Sequence, residues 1–193
     1  MKRITQTLTA LFVFIFSLSA TAQTYTTKSY KLTIEGTSTM HDWTSTATQV
    51  TVQADLEVAN GILEKINSAT VTVPAKSIKS NKNSGLMDSR THETLKADKF
   101  PNITYNNVRV TNVQRSGNEA TITVTGNLTI AGVSKPTDLI LKSKVLANGD
   151  VEISGSRKIK MTDHGIKPPV FMMGALKVGD EVKLDFQVVL QKK

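Results

Sequence analysis

Three histidines are the residues of this sequence whose type and surroundings are best suited to chemistry. Each stands beside a carboxylate, in the pairs His41–Asp42, His92–Glu93 and His164–Asp163. Imidazole and carboxylate groups are zinc ligands, so the three pairs could surround one metal ion, as a metal-dependent enzyme would require. Their spacing matches no compact metal-binding motif. We therefore predict no metal site and keep the metal-dependent enzyme as an alternative hypothesis.

Motifs for other kinds of catalysis are missing from the sequence. It contains neither the Gly-x-Ser-x-Gly turn of a nucleophilic serine nor a glycine-rich phosphate-binding loop, so we predict no catalytic residue, no enzyme activity and no cofactor. The formal net charge is +8, but the basic residues are spread along the chain and aromatics make up only 5% of it. Nucleic-acid binding is therefore not expected. The charge leaves anionic partners open, such as phosphate head groups or a membrane surface.

The first 22 residues predict a cleavable signal peptide. Lys2 and Arg3 form a short basic region, and the apolar run from Leu8 to Leu18 is about half the length of a membrane-spanning helix. Ala20-Thr21-Ala22 fits the small-residue site of signal peptidase, so we place the cut after Ala22. The remaining chain, 23–193, has no cysteine. We predict that it forms one periplasmic or secreted domain, stabilised by its core and sheet.

Apolar and polar residues alternate along most of this chain, as in strands with one buried and one exposed face. In one such segment the shared face holds Ala120, Ile122, Val124, Gly126, Leu128 and Ile130. The alternation predicts eight strands, near 28–37, 49–59, 66–74, 101–113, 119–130, 137–147, 150–161 and 180–190. Turn sequences such as Asn60-Gly61 indicate antiparallel neighbours. Closing into a barrel is one way for such a sheet to hide its apolar face.

Two segments lack the alternation. Within the 84–100 connection, Ser89 to Lys99 is predicted to form a short helix with Ser89 as its N-cap. The segment 162–179 is predicted to be a long loop. Its residues Phe171, Met172 and Met173 could form a flexible apolar lid, or they could anchor the loop under the barrel.

The interior of an eight-stranded barrel can be filled by side chains or can hold one small ligand. Large aromatic residues that could fill the centre are scarce, so an apolar channel for an aliphatic chain is conceivable, although the pattern alone favours a packed core. If apolar residues face inward, the channel wall contains Val52, Leu56, Ile122, Val124, Leu128, Leu139, Leu141, Leu184 and Phe186.

Four segments together resemble the YceI-like family of bacterial periplasmic proteins. They are Gly36–Trp43, Val73–Ile78 with Leu95–Tyr105, Gly126–Pro136, and Lys158–Ile166 followed by the strand from Val178. The third is similar to the family stretch Gly-x-Leu-Thr-x-x-Gly-Val-Thr-Lys-Pro. The resemblance implies an extended, lipocalin-like, eight-stranded antiparallel β-barrel that binds polyisoprenoid-type lipids in an apolar pore. Many members carry a His-Leu pair where this chain has Thr94-Leu95.

With the resemblance, the leading hypothesis is a non-enzymatic protein of the cell envelope that binds an amphipathic isoprenoid-type lipid or quinone. The residues predicted to meet the head group at the channel mouth are His41, Trp43, Arg90, His92 and His164. A surface ion pair is the alternative for Arg90. Homodimerisation and transient contact with a membrane surface are left open. The alternative function is a packed envelope interaction or stress protein without a bound lipid.

Overall fold

The structure is a computed structural model, and it describes residues 23–193. The predicted signal peptide and its cleavage site after Ala22 lie outside the described residues and stay predictions. Within 23–193, eight long strands follow one another: β1 (Gln23–Ser38), β3 (Thr51–Ala59), β4 (Ile62–Pro74), β6 (Asn102–Ser116), β7 (Glu119–Ile130), β8 (Val133–Val145), β9 (Val151–Lys160) and β11 (Leu176–Lys192).

Three short strands lie between the long ones: β2 (Trp43–Ala47), β5 (Ile78–Ser80) and β10 (Val170–Phe171). The sequence did not reveal them, because two to five residues are too few to establish an alternating pattern. Single turns of 3-10 helix occupy Ala75–Ser77, Met161–His164 and Met172–Gly174. These short elements therefore belong to the connections around the barrel.

The eight long strands form a closed barrel. Their order in the sheet is β11-β9-β8-β7-β6-β4-β3-β1, and every neighbouring pair is antiparallel. β1 then pairs with β11, with Leu32 opposite Phe186, so the first and last strands join. Closure gives the first and last strands a partner on both sides, although β4 and β6 pair over four residues only. The predicted all-β, eight-stranded antiparallel barrel is confirmed.

Alternation along the strands places the core inside the barrel. In β7 the inward residues from Ala120 to Ile130 are buried, while the residues between them are partly exposed. Side chains on one face of each strand meet in the barrel interior, and removing them from water supplies the main driving force of folding. A smaller cluster of Ala47, Val73 and Ile78 lies where β2 and β5 join the sheet.

One helix, α1 (Gly85–Thr94), lies in the connection where a short helix was predicted. It begins four residues before the predicted N-cap, because Ser84 Oγ accepts a hydrogen bond of 3.3 Å from the Met87 amide. Ser89 lies inside the helix and is not its cap. Among the described residues, no helix combines the length and apolar character needed to cross a membrane.

Candidate ligand channel

An apolar space runs inside the barrel and encloses about 190 Å³. This exceeds the ~150 Å³ apolar cavity that is known to admit a benzene ring. Eight of the nine residues predicted for the channel line this space: Val52, Leu56, Val124, Leu128, Leu139, Leu141, Leu184 and Phe186. Ile122, the ninth, is only 2% exposed and packs in the core rather than along the space.

Part of the channel wall is tightly packed. Leu56, Val124 and Leu190 line the channel and are fully buried. A connection also packs against the barrel core: Leu95, which follows α1, contacts both the main core and the smaller cluster of Ala47, Val73 and Ile78. The interior of the barrel is therefore apolar where it is most closely packed.

None of the five residues predicted for the channel mouth lines the channel, and only Arg90 and His92 share an element, α1. His41 is exposed in the turn after β1, and Trp43 donates from Nε1 to the Thr37 carbonyl at 3.2 Å. Arg90 forms an ion pair with Glu93 at 2.9 Å, the alternative that the sequence analysis left open. The ring nitrogen Nε2 of His92 lies 2.9 Å from the Ile78 carbonyl, and Nδ1 of His164 lies 3.1 Å from the Val133 carbonyl.

These positions also bear on metal binding. The His164 side chain is buried, with 3% exposure, and its Nδ1 contacts a backbone carbonyl of β8. The Nε2 atom of His92 contacts a backbone carbonyl of β5. Within residues 23–193, no group of three or more His, Cys, Asp or Glu side chains is arranged to hold a metal ion. The arrangement offers no support for an enzyme built on the three histidines.

The segment predicted as a lid does not line the channel. Phe171 lies under the guanidinium of Arg90, 5.6 Å from ring centroid to Cζ, and therefore contacts α1. Met172 and Met173 are exposed, and both have left-handed backbone conformations with φ of 52° and 54°. Such φ values are uncommon for residues with side chains. Phe171 thus anchors this loop, while the two methionines extend into solvent.

Arg157 is a wall residue that sequence reasoning missed. It belongs to the channel lining although it carries a charge, and it is exposed to solvent. Its face of β9 is the inward one, shared with the buried residues Val151 and Ile153. The signal was present in the sequence, since 151, 153, 155, 157 and 159 have the same parity. The prediction of the channel wall considered apolar residues only, so Arg157 was not included.

Tyr105 provides a further polar group on the channel wall. Its hydroxyl donates a hydrogen bond of 2.9 Å to the Thr137 carbonyl. Burial raises the pKa of Tyr105 to about 12, the charge of Asp138 adds to this rise, and the positive charge of Arg157 opposes it. Tyr105 is therefore neutral at physiological pH and lies close enough to Arg157 to sense its charge.

A second, polar cleft of about 940 Å³ lies on the outer side of the wall between β4 and β6. These strands pair only where Val71–Pro74 faces Asn102–Tyr105. Beyond that stretch the cleft separates them, and its lining includes Asn67 and Asn106. Ala69 and Val108 line both the cleft and the channel. The barrel wall is consequently thin at this point.

A closed antiparallel barrel with an apolar interior space defines the class of β-barrels that can hold one small ligand. Within this class, the chain belongs to the YceI-like domain family, whose model matches residues 24–190. Protein YceI of Salmonella arizonae is 33% identical over 114 residues, which cover 55% of this chain and 54% of that protein. The chain thus spans about half the length of the curated relatives it matches.

Solved structures share the fold at low sequence identity. BcnA of Burkholderia cenocepacia matches with a TM-score of 0.64 and 16% identity, covering 83% of this chain and 95% of BcnA. A polyisoprenoid binding domain from Saccharophagus degradans matches with a TM-score of 0.65 and 13% identity, covering 88% and 98%. The YCEI protein of Campylobacter jejuni gives 0.54 and 20%, covering 100% and 99%. All three have the same barrel architecture as this chain.

Proposed function

We propose that this protein binds one amphipathic isoprenoid-type lipid in the cell envelope, without catalysing a reaction. The lipid tail occupies the channel inside the barrel. The observation that carries this proposal is the enclosed apolar space, whose wall is built by inward residues of all eight long strands. An aliphatic chain in such a space loses its contact with water, which contributes about 0.8 kcal/mol for each buried CH₂ group.

The size of the channel restricts the ligand to a narrow one. A volume of about 190 Å³ is below the ~300–1,000 Å³ of typical drug-binding pockets. A single unbranched or methyl-branched chain fits this description better than a fused ring system. A long tail requires partly buried wall residues such as Leu139, Leu184 and Phe186 to change rotamer, because they are the less tightly packed part of the wall.

Two further observations support the proposal. The Saccharophagus degradans domain with the same fold is described as polyisoprenoid binding, which makes an isoprenoid tail the first candidate. The envelope location is supported by the sequence alone, through the basic, apolar and small-residue regions that end at Ala22. N-terminal sequencing of protein recovered from the periplasm or medium tests this location, and we expect the mature chain to begin at Gln23.

The ligand itself is tested by organic extraction of the purified mature protein, followed by mass spectrometry. We expect a prenyl lipid in the extract and, after delipidation, saturable uptake of an added prenyl alcohol. Protein unfolded in urea is the matched control, since it has the same composition and no channel. Recovery of no lipid, together with no uptake by the delipidated protein, would replace our proposal with the packed envelope interaction or stress protein.

A further inference from the structure

Arg157 stands on the channel wall without a charged partner in the described part of the chain. Ten ion pairs occur within 4.0 Å in residues 23–193, and Arg157 takes part in none of them. Its neighbour Lys158, on the opposite face of β9, pairs with Glu181 at 2.8 Å. The charged residue on the outer face is therefore neutralised, whereas the one on the channel face is not.

The cost of this arrangement depends on whether the channel holds a ligand. In the empty channel, water solvates the exposed guanidinium. A lipid that fills the channel displaces this water, and a charge that loses its water without gaining a partner is strongly destabilised. A ligand that supplies an anion at this position removes the penalty. An unpaired wall cation therefore favours a lipid whose head group is an anion.

Lys31 and Arg157 are the two charged residues of the channel lining. Lys31 alternates with the channel-lining Leu32 along β1 and therefore starts from the outer face, whereas Arg157 lies on the inward face of β9.

The Tyr105 hydroxyl directs its proton to the Thr137 carbonyl and so has no donor left for a ligand. The nearby wall residues Leu139, Leu184 and Phe186 are apolar. The guanidinium, by contrast, carries five N–H donors in a planar fork that matches the oxygens of a phosphate or carboxylate.

We propose that Arg157 binds an anionic head group, a phosphate or a carboxylate, of the lipid whose tail lies in the channel. This inference rests on the proposed function and adds the charge class of the ligand. The tail then extends from Arg157 towards the fully buried Leu56 and Leu190. Leu190 lies opposite Val151, and the six residues from Arg157 to Val151 along β9 span about 20 Å, which limits the enclosed length of the tail.

The test compares lipids that share one tail and differ in the head group. Farnesyl phosphate, farnesoic acid and farnesol are titrated into the delipidated mature protein and its Arg157→Gln variant. We expect the wild type to bind the two anions at least about tenfold more tightly than the alcohol, as charge-assisted hydrogen bonds do. In Arg157→Gln this preference falls to within about threefold, while farnesol affinity is unchanged.

Lys158→Gln is the matched control, because it removes the same charge from the next residue on the outer face. It should retain the wild-type preference for anions. Arg157→Lys keeps the charge and loses the planar fork, so it should show an intermediate preference and serves if Arg157→Gln does not fold. Preference for phosphate over carboxylate identifies which anion the site favours.

The outcomes separate this inference from the proposed function. If wild type binds all three lipids equally, or if Arg157→Gln keeps the full preference, Arg157 does not bind the head group. Full preference in Arg157→Lys would show that the site recognises the anion by charge and not by the planar fork. Lipid binding in the channel would still stand in that case. If the wild type binds none of the three lipids, both the proposed function and this inference fail.

Discussion

The aromatic ring of Tyr105 lies directly against the backbone of Gly126. A methyl group at position 126 would come within 2.6 Å of Tyr105 Cζ and within 2.9 Å of the Asn106 carbonyl oxygen. The close approach lets Tyr105, on β6, pass β7 and reach the Thr137 carbonyl on β8. Glycine is needed here for space, and the contact fixes the position of Tyr105 on the channel wall.

We therefore expect Gly126→Ala to destabilise the protein by about 1–3 kcal/mol, because the carbonyl of Asn106 cannot move away without disturbing the sheet. Urea unfolding followed by circular dichroism measures the change. Gly85→Ala is the control, since position 85 has open space around it and lies in a helix, where alanine is favoured. Equal stability of Gly126→Ala and wild type would mean that the ring does not occupy this position.

A large side chain on the channel face should block lipid binding. We expect Leu139→Trp to lower the uptake of a prenyl alcohol at least about tenfold, because the indole fills the free space that a tail would use. Ile140→Trp changes the adjacent residue, which is 61% exposed, and should leave uptake unchanged. Both variants are compared by equilibrium binding after unfolding curves confirm that they fold. Normal uptake by folded Leu139→Trp would place the binding site elsewhere.

The N-terminus of α1 should depend on Ser84 and not on Ser89. Ser84→Ala removes the hydroxyl that accepts from the Met87 amide, and N-cap losses of this kind cost about 1 kcal/mol. Hydrogen exchange of the first-turn amides of α1 should accelerate about fivefold. Ser89→Ala, at an exposed position inside the helix, should leave these rates unchanged or slower. The reverse result would restore Ser89 as the cap.

The Lys28–Asp150 ion pair should make stability depend on pH in the acid range. It links β1 to the turn before β9 at 2.7 Å. The hydrogen bond from Lys28 is the main cause that holds the pKa of Asp150 below its ordinary value, while burial opposes it. A lowered pKa in the folded state contributes stability above the unfolded-state pKa of about 3.9. This contribution disappears as pH falls through the folded-state pKa.

Accordingly, Asp150→Asn should have a lower urea midpoint than wild type at about pH 7, and the difference should narrow as pH falls through the folded-state pKa of Asp150 and its carboxyl becomes protonated. Glu119→Gln is the control, because it breaks the Lys144 ion pair, in which both side chains are exposed. Exposed pairs contribute little, so this variant should follow wild type throughout. A constant gap between Asp150→Asn and wild type across this range would exclude the ion pair as its cause.

Much of the barrel could be predicted from the sequence. The alternation in 120–130 identified both the strand and its inward residues, because side chains in a strand point to opposite faces at every step. The turn sequences indicated antiparallel neighbours. The helix was placed in the right connection but four residues late, since Ser84 and Ser89 are both plausible caps, and the sequence does not show which hydroxyl meets a free amide.

The polar part of the site could not be predicted in the same way. Arg90 and Arg157 are both arginines in polar stretches. Strand parity places position 157 on the inward face, but it does not show that a free space borders this charged side chain. In the structure Arg90 meets Glu93 one helical turn away, whereas Arg157 lies opposite Leu184 on a channel-facing strand. The three histidines, which looked like one possible site, are separated by the connections in which they lie.

By itself, the sequence determined the eight long strands, their antiparallel order and the apolar face that they bury, because these follow from local residue periodicity and turn sequences. Only the tertiary structure decided that β1 joins β11, that a free space remains inside, and that Arg157 borders it. Those features depend on the register between strands distant in the chain and on how closely side chains pack across the closed barrel. Neither quantity is encoded in the order of neighbouring residues.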